Sequence, residues 1–287
     1  MKYVLVTGAS TGIGYSICQH LLQNGYAVFG SVRKEADAKR LQAEFSDNFV
    51  PLLFDVSDYD AIHAARKVVE QQLEGQPLAG LVNNAGIAVF GPIQHLAVSE
   101  WKRQFDVNVF GVVAVTQAFL PLLGARQPQT GPPGKIINIS SVSGQLSMPF
   151  LGPYAASKHA LEALTDSLRR ELLIYGIDVV SILPGPVRTP IWEKSKNQEE
   201  TFPSTDYGKV LVQMKSFISE TEQKAIDPVR IADCVRKILQ KKQSKTRYII
   251  SADAWSHRLI TRLVPDRWAD GFVRRMFLKV YSKIPIT

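Results

Sequence analysis

Cysteine is almost missing from this chain. Cys18 and Cys234 are the only two in 287 residues, too few for a disulfide framework. Cys18 falls in a helical stripe and reads as a small core residue. Histidine is scarce as well. The five histidines are scattered, none stands at metal-ligand spacing, and no metal site is expected. Before the first glycine loop there is one lysine and a short apolar run, too little for a signal peptide. A reduced, intracellular and cytoplasmic setting is the expectation. Internal repeats, low-complexity tracts and linkers rich enough to separate domains are all lacking. The length suits one large α/β domain, so 1–287 is read as a single unit.

One uncharged, largely apolar run could be mistaken for a membrane span. Val107 to Gly124 carries no charge and approaches the length of a membrane span. It also holds Asn108, Thr116, Gln117 and Pro121, so a buried or interface helix is the better reading. Acidic residues are the scarcer charge, which leaves a formal net charge of +8. Some of the basic excess is local. Trp268, Phe272, Met276 and Val280 recur at helical spacing, with Arg267, Arg274, Arg275, Lys279 and Lys283 between them. The segment 255–287 therefore reads as a basic amphipathic extension, fit either to dock on the protein or to touch a membrane surface. No nucleic-acid motif accompanies the charge, and no nucleic-acid partner is expected.

What is present begins with Tyr3-Val4-Leu5-Val6, a short strand-like run. Thr7-Gly8-Ala9-Ser10-Thr11-Gly12-Ile13-Gly14 follows, and then Ile13, Ile17, Leu21 and Leu22 at helical spacing. Strand, glycine-rich turn and helix is the geometry that aims backbone N–H groups at a phosphate. Further strand-like runs stand at Ala27–Gly30, Phe49–Phe54, Gly80–Val82, Lys135–Ser140, Asp178–Leu183 and Arg247–Ile250, with helical patterns between them. Alternation of this kind predicts α/β architecture: one doubly wound parallel sheet covered by helices on both faces.

Tyr154 and Lys158 stand four apart in Tyr154-Ala155-Ala156-Ser157-Lys158. Residues i and i+4 share a helix face, which puts an ammonium beside a phenol. A phenol ordinarily ionises near pH ~10, and a neighbouring cation lowers that value.

These motifs, together with Asn83-Asn84-Ala85-Gly86, Asn108, Ser140-Ser141 and Pro184-Gly185, closely resemble the short-chain dehydrogenase/reductase family. The resemblance runs from about residue 2 to 190. It implies an enzyme that interconverts a carbonyl and an alcohol with a nicotinamide dinucleotide. Tyr154 would then be the general acid/base, with Lys158 lowering its pKa and holding the nicotinamide ribose. Ser141, thirteen residues before Tyr154, would hold the substrate oxygen. Asn108 would support a water and a proton path to Lys158. Gly8, Ser10, Thr11, Gly12, Ile13 and Gly14 would cradle the cofactor phosphates. Asp55 and Val56 would meet the adenine, Asn84, Ala85 and Gly86 the ribose, and Pro184, Gly185, Val187 and Thr189 the carboxamide. The resemblance also implies a homodimer or homotetramer, with Val112, Val115, Phe119 and Leu122 as the apolar face of a helix at the subunit interface.

Cofactor choice is read at the end of the second strand. An acid there would bond the ribose 2′-hydroxyl and favour NAD. Gly30-Ser31-Val32-Arg33-Lys34 has none, and Arg33 can grip a 2′-phosphate. NADP(H) is therefore expected over NAD(H), although Thr11 leaves the glycine loop without the cation that many NADP-preferring relatives have. Residues expected around the substrate are apolar: Val89, Phe90, Met148, Phe150, Leu151, Ile191 and Trp192. Val210, Met214, Phe217 and Ile218, within 190–225, would close as a lid. A lipophilic alcohol or ketone, such as a steroid, retinoid or fatty derivative, is the expected substrate. The alternatives are an NAD-linked alcohol dehydrogenase of the same family, a non-catalytic dinucleotide-binding redox sensor, and a sugar-nucleotide epimerase or dehydratase.

Overall fold

The computed structural model describes residues 1–45, 47–126, 131–190, 202, 205–208, 210–211, 223–254, 264–265, 267–268, 270–271 and 273–275. Seven strands form one sheet: β1 (Lys2–Val6), β2 (Tyr26–Val32), β3 (Phe49–Leu53), β4 (Gly80–Asn83), β5 (Lys135–Ile139), β6 (Asp178–Pro184) and β7 (Arg247–Ile250). Their order is β3-β2-β1-β4-β5-β6-β7, and every pairing is parallel. Helices α1 (Gly12–Gln23), α2 (Glu35–Glu44), α3 (Tyr59–Leu73), α4 (Val98–Phe105), α5 (Gly111–Phe119), α6 (Gly152–Glu171) and α7 (Val229–Gln240) connect and cover them.

The strands read as continuous apolar runs because both faces are buried. Successive side chains point to opposite faces, and the core divides accordingly. Val4 and Val6 of β1 pack with Ile17 and Leu21 of α1, Leu41 of α2, and Ile231 and Val235 of α7. Leu5, between them, packs with Ile62 and Val69 of α3 and Val115 and Phe119 of α5. Cys18 is buried in the first cluster, as its stripe predicts. Pro51 lies inside β3, an edge strand, where the missing N–H breaks no second ladder.

The uncharged run is not one regular helix. Asp106–Phe110 forms a π turn, α5 follows, and Leu120–Leu123 closes as a 3-10 turn ending at Gly124 with φ of 100°. Val98–Leu123 is long and apolar enough to cross a membrane by composition, but half of its most apolar window is buried in the protein. The interface face expected at Val112, Val115, Phe119 and Leu122 needs correction. All four are buried within the subunit, with at most 5 % exposure. Helical spacing identifies an apolar face but not its partner, and here α3 and the sheet take Val115, Phe119 and Leu122. Ile191, Trp192, Met214, Phe217 and Ile218, and most of 255–287, lie outside the described residues.

A buried lysine ties the sheet to α7. Lys135 Nζ donates to the Ile238 and Lys241 carbonyls at 3.1 and 2.5 Å and to Ser244 Oγ at 3.1 Å, with Asp178 Oδ2 at 3.6 Å. A cation at a helix C-terminus satisfies carbonyls the helix leaves unpaired. Lys135→Met should therefore lower the unfolding free energy by about 1–3 kcal/mol in urea titration, with catalysis per folded molecule unchanged. A midpoint matching the unmodified protein would show that the cap contributes nothing.

Candidate active site

A cleft of about 410 Å³ opens at the C-terminal ends of the strands. Loops following β1, β2, β3, β4 and β5 all reach it, as a ligand crevice in an open parallel sheet should. The break in strand order between β1 and β4 opens its floor. Gly8, Ser10, Thr11, Gly12 and Ile13 form one wall. Gly14 sits behind it. A Cβ there would stand 2.1 Å from the Gly8 carbonyl, so no larger residue fits this close approach. Thr11 is the N-cap of α1 without a side-chain cap bond, and the first turn has no acid. The N–H groups that a helix start leaves unpaired, and the positive end of its dipole, suit an anion there.

Thr7 anchors the opposite wall. Its hydroxyl accepts from the N–H groups of Asn84 and Ala85 at 2.9 and 3.0 Å. Asn84 Nδ2 donates to the carbonyls of Thr7 and Gly8. The asparagine therefore holds the glycine loop, while Asn84, Ala85 and Gly86 all line the cleft. Ser31, which no sequence motif marks, bonds the same loop: its Oγ accepts from Gly8 N–H at 3.0 Å. Arg33, Asp55 and Val56 lie at the far end, with Arg33 Nη1 3.8 Å from Asp55 Oδ2. Thr189 lines the cleft and meets the position where a Gly12 Cβ would be. Pro184, Gly185 and Val187 are not on the cleft surface. Gly185 N–H donates to Ile250, and Val187 bridges to Ile226, so they brace the loop that carries Thr189. This set of backbone donors, glycines and a phosphate-sized helix start fits a nicotinamide dinucleotide.

At the other end, α6 presents Tyr154 and Lys158 on one face. Lys158 Nζ lies 5.8 Å from the Tyr154 ring centroid and donates to the Ile139 carbonyl at 2.8 Å. Ser141 is buried just after β5. Its Oγ accepts from Ser143 N–H at 3.0 Å and hydrogen-bonds the Tyr154 phenol. Burial raises the phenol above its ordinary value of 10.0, and the Ser141 bond pulls it back down. Burial also drives Lys158 down, to about 8, against the Glu162 carboxylate one turn on. Spacing alone makes the Lys158 charge the dominant influence on Tyr154. In the folded protein desolvation acts first on both groups, because both lose water.

Asn108, on the π turn, has its side chain engaged within the protein. Oδ1 accepts from Ile87 N–H at 2.9 Å, and Nδ2 donates to the Ile87 carbonyl and to Ser157 Oγ. Ser157 in turn donates to the Tyr154 carbonyl at 2.8 Å. Asn108 thus fixes the β4 loop against α6. Gln104 works beside it, accepting from Val89 N–H and donating to the Ile87 carbonyl.

Below Lys158 lies a network that no sequence motif announces. Buried Glu162 accepts from the Ser181 hydroxyl and from Arg247 Nε at 2.7 Å. Arg247 Nη2 also pairs with Asp166 at 2.9 Å. These bonds tie α6 to β6 and β7. The only signal in the sequence is a pair of acids spaced i and i+4 after Lys158.

Just before α6, Phe150 has φ of 66° and its carbonyl accepts from Gly91 N–H at 2.9 Å. Its ring meets Tyr207 edge-on at 5.7 Å, and Tyr207 meets His95 at 6.0 Å. His95 also faces Phe202 at 6.4 Å. An aromatic wall therefore stands at the N-terminal end of α6. The sequence places Phe150 around the substrate and does not single out Tyr207, Phe202 or His95. Phe90 lies in the neighbouring loop and is half-buried.

Comparison with known proteins agrees with this geometry. A family model described as short chain dehydrogenase matches residues 2–200. The NADPH-dependent 3-dehydrocapnine reductase of Ornithobacterium rhinotracheale is 41% identical over 284 residues, covering 99% of each chain. Retinol dehydrogenase 7 of Mus musculus is 33% identical, over 95% of this chain and 87% of its own. Among solved structures, a short-chain dehydrogenase from Streptomyces avermitilis superposes with a TM-score of 0.75 at 26% identity, covering 99% of this chain and 98% of its own. An actinorhodin polyketide ketoreductase with NADPH gives the same TM-score and identity over 88% and 97%. With its seven-stranded parallel sheet, glycine loop and Tyr154/Lys158 pair, the chain belongs to the short-chain dehydrogenase/reductase family of oxidoreductases.

Proposed function

We propose that the protein is an NADPH-preferring reductase of a lipophilic ketone or aldehyde, with Tyr154 as proton donor. The observation that carries this is the meeting of Tyr154 and Lys158, with Ser141 beside the phenol, at one end of the cleft that Arg33 lines at the other. The bound nicotinamide supplies the hydride. Negative charge then develops on the substrate oxygen, and hydroxyl donors must meet it there. Ser141, held by Ser143, orients that oxygen. Tyr154 gives it a proton, and Lys158, on the same helix face, keeps positive charge beside the phenol. Phe150, Tyr207 and the half-buried residues near them exclude water and suit an apolar substrate. The names of the bacterial 3-dehydrocapnine reductase and the mouse retinol dehydrogenase fit such a substrate. A homodimer or homotetramer belongs to the same reading, and Phe110, half exposed on the π turn, is an apolar contact available to it.

A turnover assay with NADPH and NADH against a ketone and aldehyde panel tests the proposal. Arg33→Ala should weaken NADPH binding by about 1.5–3 kcal/mol, the worth of a charge-assisted hydrogen bond, and leave NADH nearly unchanged. Equal affinity of the unmodified protein for both dinucleotides would instead favour the NAD-linked alternative.

The pH profile provides a second check. Lys158 gives up its proton near pH 8. The kcat/KM for NADPH, which reports groups of the free enzyme, should therefore fall above about that pH. Removing the Glu162 charge in Glu162→Gln disfavours the ammonium further and moves the fall to lower pH. A limb that stays in place in Glu162→Gln would detach it from Lys158.

A further inference from the structure

The glycine loop from Gly8 to Gly14 contains no cation, and Arg33 is two-thirds exposed and shares its charge with Asp55. One guanidinium, partly offset by Asp55, leaves much of a doubly charged phosphate unbalanced. A second guanidinium reaches the same rim from α2. Arg40 Nη2 donates to the Ser10 carbonyl at 2.7 Å, and Ser10 is in the cleft wall. Arg40 is held from two further sides. Nη1 pairs with Glu44 Oε2 at 3.2 Å, and Nη2 lies 3.5 Å from Asp37 Oδ1. Glu44 is itself fixed by the Tyr15 hydroxyl of α1. The fork is therefore preorganised against the loop by groups from three elements.

We propose that Arg40 is the second cation of the site that reads the adenosine 2′-phosphate, supplied from α2 because the glycine loop has none. This rests on the NADPH preference proposed above. Its charge acts in two ways. It attracts the phosphate from beside Ser10, and it masks Asp37 and Glu44, which would otherwise repel that phosphate across the loop. Both effects distinguish NADPH from NADH, since NADH carries a hydroxyl at the same place. A pure strut for the Ser10 carbonyl would serve both cofactors equally.

The test is binding of NADPH, NADH and adenosine 2′,5′-bisphosphate to the full chain, followed by fluorescence or calorimetry. Arg40→Met should weaken NADPH and the bisphosphate about tenfold or more, the low end for a charged hydrogen bond, and NADH less than twofold. Arg40→Gln retains a donor for the Ser10 carbonyl and removes only the charge, so it should show the same selectivity. Arg40→Lys restores charge without the fork and should recover some of the loss. Salt should narrow the NADPH/NADH gap more in the unmodified protein than in Arg40→Met. Equal loss for both cofactors, or recovery of NADPH binding in Arg40→Gln, would make Arg40 a strut and overturn the proposal. Unchanged binding in all three variants would overturn it too. If the unmodified protein itself binds NADPH and NADH alike, the NADPH preference fails first, and this inference falls with it.

Discussion

Replacing Tyr154 by phenylalanine should slow turnover by ~10²–10⁴-fold, the typical contribution of a positioned general acid. NADPH binding should stay nearly intact. The ring that lines the cleft remains, and only the hydroxyl bonded to Ser141 is removed. The loss should appear in kcat and kcat/KM together, as expected for an interaction made in the transition state. Lys158→Ala should behave differently. It removes the ammonium near the ring and leaves the Ile139 carbonyl without its donor, so both turnover and cofactor affinity should fall. Steady-state kinetics with NADPH titration separate the two variants. Near-wild-type rates for Tyr154→Phe on a good substrate would sink the assigned mechanism.

The second large effect is on stability and lies beneath the site. Arg247→Met should destabilise the fold by about 2–4 kcal/mol, near the lower end of the range for breaking a buried ion pair. Glu162 has its side chain only 8% exposed, whereas Arg247 is 31% exposed, which places the effect below the fully buried limit. Asp166 keeps Arg169 as a partner at 3.1 Å, so Glu162 bears most of the loss. Adding Glu162→Gln should recover most of the stability, since a neutral amide can still accept from Ser181. Urea unfolding of the single and double variants measures both expectations. A double variant no more stable than Arg247→Met would show that packing of the guanidinium, and not its charge, is what matters.

Local pattern and folded arrangement divide cleanly across this molecule. The strands were legible because a parallel sheet buries both faces, and double burial writes itself as unbroken runs such as Val4-Leu5-Val6 and Lys135–Ile139. The glycine spacing was legible because Gly14 has space for nothing larger. The Tyr154/Lys158 face was legible because helical periodicity acts over four residues. Features joining distant segments were not. Arg40 reaches Ser10 across 30 residues, Arg247 reaches Glu162 across 85, and Lys135 reaches Lys241 across 106. Each depends on strand order, which sets which loops and helix ends become neighbours. The apolar face of α5 could be recognised, but its burial in its own subunit could not, since periodicity does not name the surface that receives it. The sequence by itself thus determined the family, the sheet and the pairing of Tyr154 with Lys158 on one helix face, through rules that act within one element or one turn. Tertiary structure decided the burial of Tyr154 and Lys158, the carboxylate beneath them and the second guanidinium beside the cleft wall at Ser10, because desolvation and charge pairing exist only once distant segments meet.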